Sequence, residues 1–405
     1  MSPQRSLASD LVSAPAHAHV PVDPRPTSGE TVLGPLIRTV GLDLWAHHQL
    51  GASASSLTKA VVGGLVGHRA DWERHAPVMS WRSGLKDVTT EQVLADALPL
   101  WGHQHPIDVV VLVHGLLVDE QNWTLATTPV PEFLQRMLGW CPLMVRYNSG
   151  RHIASNGEDL ARLLAELHQV WGRHLGRIRV IGHSMGGLVS RSALEHLRRQ
   201  NADVLERVDQ LYLLATPNHG ADLERLGHAA EYVLESAAGL PRNAARLLTR
   251  RTGGADPGVL HALAESTGEL ATVVTGAPFR TVLSLLAARS DGMRDVRFGY
   301  MMPEEWQSAE HDRRRFMLNH SRPLPPPPHV RVHAVAGSLW PDSTGEPSRL
   351  RTDGLVSVAS AAGIGEFDDL GVAHTSRFAE MPLLVHQLVG TSPRVLQRIV
   401  GWARG

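Results

Sequence analysis

The pattern of apolar and polar positions changes period along this chain. Residues 1–28 are polar and proline-bearing, with no apolar periodicity, and are expected to be disordered. Over 30–74 the pattern becomes helical. Leu33, Leu36, Ile37, Val40, Leu44 and Trp45 recur at spacings near 3.6, and a second apolar stretch covers 57–66. Residues 75–106 read as a mixed connector with one helix over 90–98. The period then changes again. Asp108-Val-Val-Val-Leu-Val113 is a near-continuous apolar run, as in strands buried on both faces of a parallel sheet. After it come a helix over 130–140, a strand over 143–146, and a helix striped by Leu160, Leu163, Leu164, Leu167, Val170 and Trp171. Ser155-Asn-Gly-Glu158 resembles a capping box for that helix. A strand over 177–181, a helix over 184–199 and a strand over 210–215 continue the alternation. It implies right-handed βαβ units and an α/β fold: a mostly parallel central sheet with helices on both faces, whose active site lies at the C-terminal ends of the strands.

The alternation breaks at about residue 221 and resumes with a strand over 330–336. Helical stretches at 223–237, 243–248, 259–263 and 281–288, then the proline run 323–328, read as a helical cap inserted between late strands. Met301, Met302 and Trp306 fit either an apolar acyl-binding wall or ordinary packing. A long loop holding Asp342 and Glu346 follows, the last strand is expected near Phe367, and a helix over 394–402 closes the chain. The organisation expected is a disordered N-terminus and helical extension over 1–105, and one α/β domain over 106–405 with a cap at about 221–329. The N-terminal helices have three readings: cover for the core, a dimer contact, or peripheral contact with a membrane. Packing is favoured, because their polar faces lack the basic character of an interfacial helix.

Charge narrows the partners. With 39 Lys and Arg against 40 Asp and Glu, the net charge is near zero, which argues against nucleic acid or another polyanion. Cys141 is the sole cysteine, so no intrachain disulfide forms. The first 27 residues lack the apolar core of a signal peptide, and no apolar run is long enough to span a bilayer; a cytoplasmic protein is expected. No motif calls for a metal, nucleotide or other cofactor.

The stretch that carries chemistry is Val180-Ile181-Gly182-His183-Ser184-Met185-Gly186-Gly187. A G-x-S-x-G is common by chance. Here it sits between a β-branched strand and a helix, the context in which the serine caps a sharp, strained turn. Ser184 is therefore the candidate nucleophile, and the helix after it aims free N–H groups at a nascent oxyanion. His114-Gly115-Leu116 directly follows the first apolar strand, so the backbone N–H groups of Leu116 and Met185 are the candidate oxyanion donors. Acyl transfer also needs a base and an acid that orients it. In the order serine, acid, histidine, Asp353 and His374 fit, each after a late strand, with Gly354 permitting the turn after the acid. Asp342 lacks such a turn residue, and Asp368 and Asp369 fall too near the expected last strand. His386 lies on an apolar helix face and reads as packed core, and His219 as part of a loop forming the pocket wall.

These pieces resemble the lipase/esterase branch of the α/β-hydrolase superfamily, and more narrowly bacterial GPI-inositol-deacylase-like and triacylglycerol-lipase-like serine hydrolases. The matching segments are His114-Gly-Leu with Trp123, Tyr147-Asn-Ser-Gly-Arg-His152 with Asn156-Gly157, Gly182-His-Ser-Met-Gly-Gly-Leu188, Ala215-Thr-Pro-Asn-His-Gly-Ala221, Arg289-Ser-Asp-Gly292 with Asp295-Val-Arg297, and Asp353-Gly-Leu-Val356. The resemblance implies a Ser184, Asp353, His374 triad with esterase-type activity and does not fix the substrate; with the expected helical cap, hydrolysis of lipid-like or medium-chain acyl esters is the leading reading. An acyltransferase or thioesterase using the same triad, and a catalytically silent binding protein on this fold, are the alternatives. Several bacterial lipases hold calcium through an aspartate just after the catalytic histidine. Here that stretch is Thr375-Ser-Arg-Phe378, so no calcium is expected. Arg151 is a candidate contact for a polar head group.

Overall fold

The computed structural model describes residues 77–102, 106–124, 128–221, 290–311, 321–341, 350–363 and 377–405. The N-terminal helices expected over 30–74, the cap helices expected over 223–288, Asp342, Glu346, the strand expected near Phe367, and His374 all lie outside the described residues.

In chain order the elements are β1 (Ser80–Ser83), β2 (Lys86–Val88), α1 (Thr90–Trp101), β3 (Ile107–Val113), α2 (Val130–Leu138), β4 (Cys141–Arg146), α3 (Ile153–Trp171), β5 (Leu175–His183), α4 (Met185–Arg199) and β6 (Val208–Leu214). After residues 222–289 come α5 (Asp291–Phe298), α6 (Pro303–His311), β7 (Arg331–Ser338), α7 (Val358–Ala362), β8 (Arg377–Pro382), α8 (His386–Val389) and α9 (Pro393–Arg404). The strands form one sheet in the order β2-β1-β4-β3-β5-β6-β7-β8. Strands β3 to β8 pair in parallel, and β1 runs antiparallel to both β2 and β4. This is the α/β-hydrolase fold. The chain reverses its direction of travel between β4 and β5, on either side of β3, and that switch point is where such sheets open a crevice beyond the strand ends.

Strand β3 shows why the sheet is legible as an apolar run. Val109, Val111 and Val113 face one core layer, with Leu160, Leu164 and Leu167 of α3 and Leu188 and Leu197 of α4. Val110 and Leu112 face the other, with Leu134 of α2 and Leu396, Ile399 and Trp402 of α9. Both faces are dry, so neither needs polar positions. Met301 and Met302 belong to the first layer. Packing is thus the reading the structure supports for them.

Two local expectations need correction. The hairpin β1–β2 lies in the stretch read as a connector. Its strands are too short to show a period, and they are held by β1 pairing with β4 and by the Trp81 indole N–H donating to Thr90 Oγ1 at 3.1 Å. Helix α3 begins at Ile153, so Ser155 lies inside its first turn and forms no capping box. Its cap comes from far along the chain: the Ile153 N–H donates to the Asp295 carboxylate at 2.6 Å. That carboxylate satisfies one of the free N–H groups of the helix's first turn.

One core residue gives a pH-dependent prediction. His333 is buried on β7, stacked between Tyr212 at 4.7 Å and Trp402 at 5.2 Å. Neither ring nitrogen has a hydrogen-bond partner among the described residues. Burial, aided by Arg377 and Arg331, lowers its pKa to about 4. The unfolded chain, with an ordinary histidine pKa of about 6.5, takes up the proton first. The stability this group contributes is therefore complete above pH 6.5 and lost as pH falls toward 4. Replacing His333 with Phe is expected to raise the melting temperature more at pH 5 than at pH 8. An equal shift at both, in thermal melts, contradicts the assignment.

Candidate active site

Strand β5 ends at His183, and Ser184 turns the chain into α4 with φ 54° and ψ −125°. A non-glycine residue there stores about 1–3 kcal/mol of strain and persists only where its surroundings fix it. The surroundings do so by close approach. A Cβ on Gly186 would meet the carbonyl oxygens of Val113 and His114, one on Gly187 the side chain of Thr216, and one on Gly182 the backbone of Gly187. The three glycines let α4 start hard against the ends of β3 and β6. The Ser184 N–H donates to the Leu214 carbonyl at 2.8 Å and locks the turn onto β6.

Ser184 Oγ lies 2.8 Å from Nε2 of His386, and His386 Nδ1 lies 2.8 Å from Oδ2 of Asp353. All three are buried: 8% exposed for the serine, 6% for the histidine and 2% for the aspartate. The second carboxylate oxygen accepts the N–H groups of Leu355 at 3.0 Å and Val356 at 2.8 Å. These bonds hold the loop after β7 in a tight turn, with Gly354 at φ 105°. The carboxylate is therefore fixed by its own backbone before it meets the imidazole. With Asp353 accepting at Nδ1, that nitrogen carries the proton, and Nε2 is free to accept one from the serine.

The histidine that meets Ser184 is His386, which the sequence reads as packed core, whereas His374 lies outside the described residues. The reason is the last strand. Serine-acid-histidine order places the base after it, and the sequence puts that strand near Phe367. Strand β8 is instead Arg377-Phe-Ala-Glu-Met-Pro382, an edge strand that is half-exposed and ends in proline. It has neither an apolar run nor a clean alternation, so no periodicity marks it. The first histidine after β8 is His386.

The oxyanion candidates lie beside the nucleophile. Met185 is the first residue of α4, and its N–H has no acceptor within the helix. Gly115 abuts the serine: a Cβ on it would lie 3.2 Å from Ser184 Cβ. Leu116 follows in the same turn, and Leu117, at φ 62°, donates its N–H to Ser149 Oγ at 3.3 Å.

Other quoted motifs prove to be braces for this turn. The His114 ring stacks on Tyr147 at 4.2 Å, and the Tyr147 hydroxyl donates to the His114 carbonyl at 2.7 Å. Burial pushes the His114 pKa down, consistent with a neutral ring. Farther along the loop, Glu120 is 1% exposed and accepts from Arg82 at 3.0 Å and from Arg146 at 2.7 and 2.6 Å. Asn218 joins Arg191 of α4, at 2.9 Å, to the Ala361 carbonyl, at 3.1 Å. The loop of His219 is accordingly a brace, and the His219 side chain is exposed. Arg151 pairs with Asp159 of α3 at 2.6 Å, which ties it to the scaffold. Among the described residues no group of three or more acidic, histidine or cysteine side chains is placed to hold a metal ion, and no helix is long and apolar enough to cross a membrane.

Residues 103–224 match the family model described as "Putative serine esterase (DUF676)", a match that covers under a third of the chain. The chain is a serine hydrolase that acts on esters. No curated protein matches it. Among solved structures it is similar to a lipase of Bacillus licheniformis in its mature form, at 16% identity over 73% of this chain and 92% of that one, with a TM-score of 0.40. It is also similar to a thermophilic esterase from Thermogutta terrifontis, at 17% identity over 74% and 91%, TM-score 0.33. A third is a lipase-esterase related protein from Clostridium acetobutylicum, at 14% identity over 74% and 97%, TM-score 0.37.

The buried charge network makes a prediction. Glu120→Ala removes the carboxylate that Arg82 and Arg146 share and leaves them Asp87 and, at 3.5 Å, Asp119; removing one partner of a buried pair costs about 3 kcal/mol. Urea denaturation is expected to show that loss, and a change under 1 kcal/mol would mean the network does not anchor the loop after β3.

Proposed function

We propose that this serine hydrolase works through a Ser184–His386–Asp353 triad and an acyl-enzyme, on lipid-like or medium-chain acyl esters. The observation that carries the reading is the continuous hydrogen-bonded line from the strained serine through the imidazole to the buried carboxylate. In the proposed cycle His386 Nε2 takes the Ser184 proton as Oγ attacks the ester carbonyl. The imidazolium that forms is stabilised by Asp353, which stays ionised. The tetrahedral oxyanion sits on the N–H groups of Met185 and Leu116. Loss of one such donor typically costs about two to three orders of magnitude in kcat. His386 then protonates the leaving alcohol, and water, activated by the same imidazole, releases the acid.

The test uses the full chain. A fluorophosphonate probe is expected to label the wild type and not Ser184→Ala. His386→Ala should lose at least about a thousandfold in kcat, as loss of a triad base does, while His374→Ala stays within threefold of the wild type. The opposite ranking of the two histidines would transfer the base to His374. Across p-nitrophenyl esters of rising chain length, turnover should increase beyond acetate, and activity confined to acetate would contradict the substrate class.

A further inference from the structure

His183, the residue before the nucleophile, is left unused by the proposed chemistry, yet it is buried at the centre of the site. Its Nε2 lies 3.0 Å from the carbonyl oxygen of His386. A carbonyl only accepts, so Nε2 carries the proton and the ring donates. Nδ1 is buried and has no hydrogen-bond partner among the described residues. The ring packs closely on every side. A Cβ on Gly390 would lie 3.1 Å from it and one on Gly115 3.4 Å, the Trp123 ring meets it edge-on at 6.4 Å, and the His386 ring is 5.3 Å away. This ring therefore touches the oxyanion turn, the nucleophile elbow and the segment bearing the base.

The base needs such a holder. His386 opens α8, a helix of four residues. One turn of helix has too few bonds to fix itself. The backbone of His386 is held instead from outside. Its N–H donates to the Asp353 carbonyl at 3.1 Å, and its carbonyl accepts from His183. Together with the two side-chain bonds, His386 is fixed at four points by Asp353 and by the dipeptide His183-Ser184 among the described residues.

Resting on the triad reading above, we propose that His183 is a positioning residue for the base: by donating Nε2–H to the His386 carbonyl it ties the α8 turn to the nucleophile elbow and sets the distance between His386 Nε2 and Ser184 Oγ. The ring must remain neutral to do this beside an imidazolium. Burial, followed by the neighbouring His386, lowers the His183 pKa to about 4. Misplacement of a reacting group by an ångström costs on the order of a hundredfold in rate.

The experiment compares wild type, His183→Phe, His183→Gln and His183→Asn in the full chain, with p-nitrophenyl butyrate as substrate. Phe fills the space without the donor, Gln places an N–H₂ near the position of Nε2, and Asn is too short to reach. Phe is expected to lower kcat by roughly ten- to a hundredfold with KM within twofold. Gln is expected to recover most of that rate, and Asn to fall with Phe. The downfield proton resonance of His386 Nδ1 should shift or broaden in Phe and Asn and return in Gln. If Phe does not fold, the contrast of Gln with Asn carries the same test. A kcat within threefold of the wild type in Phe, or equal losses in Gln and Asn, overturns the proposal. Ser184→Ala separates the two readings: if it retains turnover, the triad itself fails, whereas a dead Ser184→Ala beside a fully active Phe variant removes only the role of His183.

Discussion

The site depends on one backbone conformation. Ser184 is held at φ 54° and ψ −125°, where a side chain with a Cβ is strained, and the neighbouring glycines exist to keep it there. The bend lifts the hydroxyl above the sheet edge and starts α4 within van der Waals distance of the ends of β3 and β6. Those two results are inseparable. A larger residue at Gly182, Gly186 or Gly187 would push helix from strand, and the serine would relax toward an ordinary turn. The strain is small beside the burial of α4, most of whose residues are inaccessible to water, so the packing dictates and the serine complies.

Around this bend several of the described loops are held by groups from elsewhere in the chain. The turn after β3 is pinned by Tyr147 and by Glu120 with its two arginines. The loop after β4 is joined to α5 through Asp295, which accepts from the Ile153 N–H, from His152 Nδ1 and from the Trp306 indole. The loop of Asp353 is fixed by its own N–H bonds, and His386 by Asp353 and the elbow. Loops of this length have little stability of their own. Buried polar contacts give them one geometry, and a reacting constellation needs one geometry to about half an ångström.

The residues on either side of positions 222–289 are tied together beside this assembly. The Ala221 N–H donates to the Val296 carbonyl at 3.0 Å, between the exit of β6 and α5. Gly220 also passes too close to the Arg297 carbonyl to carry a Cβ.

How much of this the sequence determined follows from where the information is local. The parallel strands β3 to β7, the helices between β3 and β6 and the elbow were legible, because burial on both faces writes apolar runs and because a backbone forced to pass another backbone needs glycine at fixed positions. The Asp353 turn was legible for a like reason: Asp353 followed by Gly354 is a turn that forms from its own N–H groups. The histidine beside the serine was not. His386 is chosen by where β8 ends, and β8 is an edge strand defined by its pairing with β7, not by its own residues. The capping carboxylate of α3, the stacking of His114 on Tyr147, and the bond from His183 to the His386 carbonyl join residues far apart in sequence, and no spacing records them. Local chemistry selected the residue types; only the tertiary packing decided which histidine stands next to the serine.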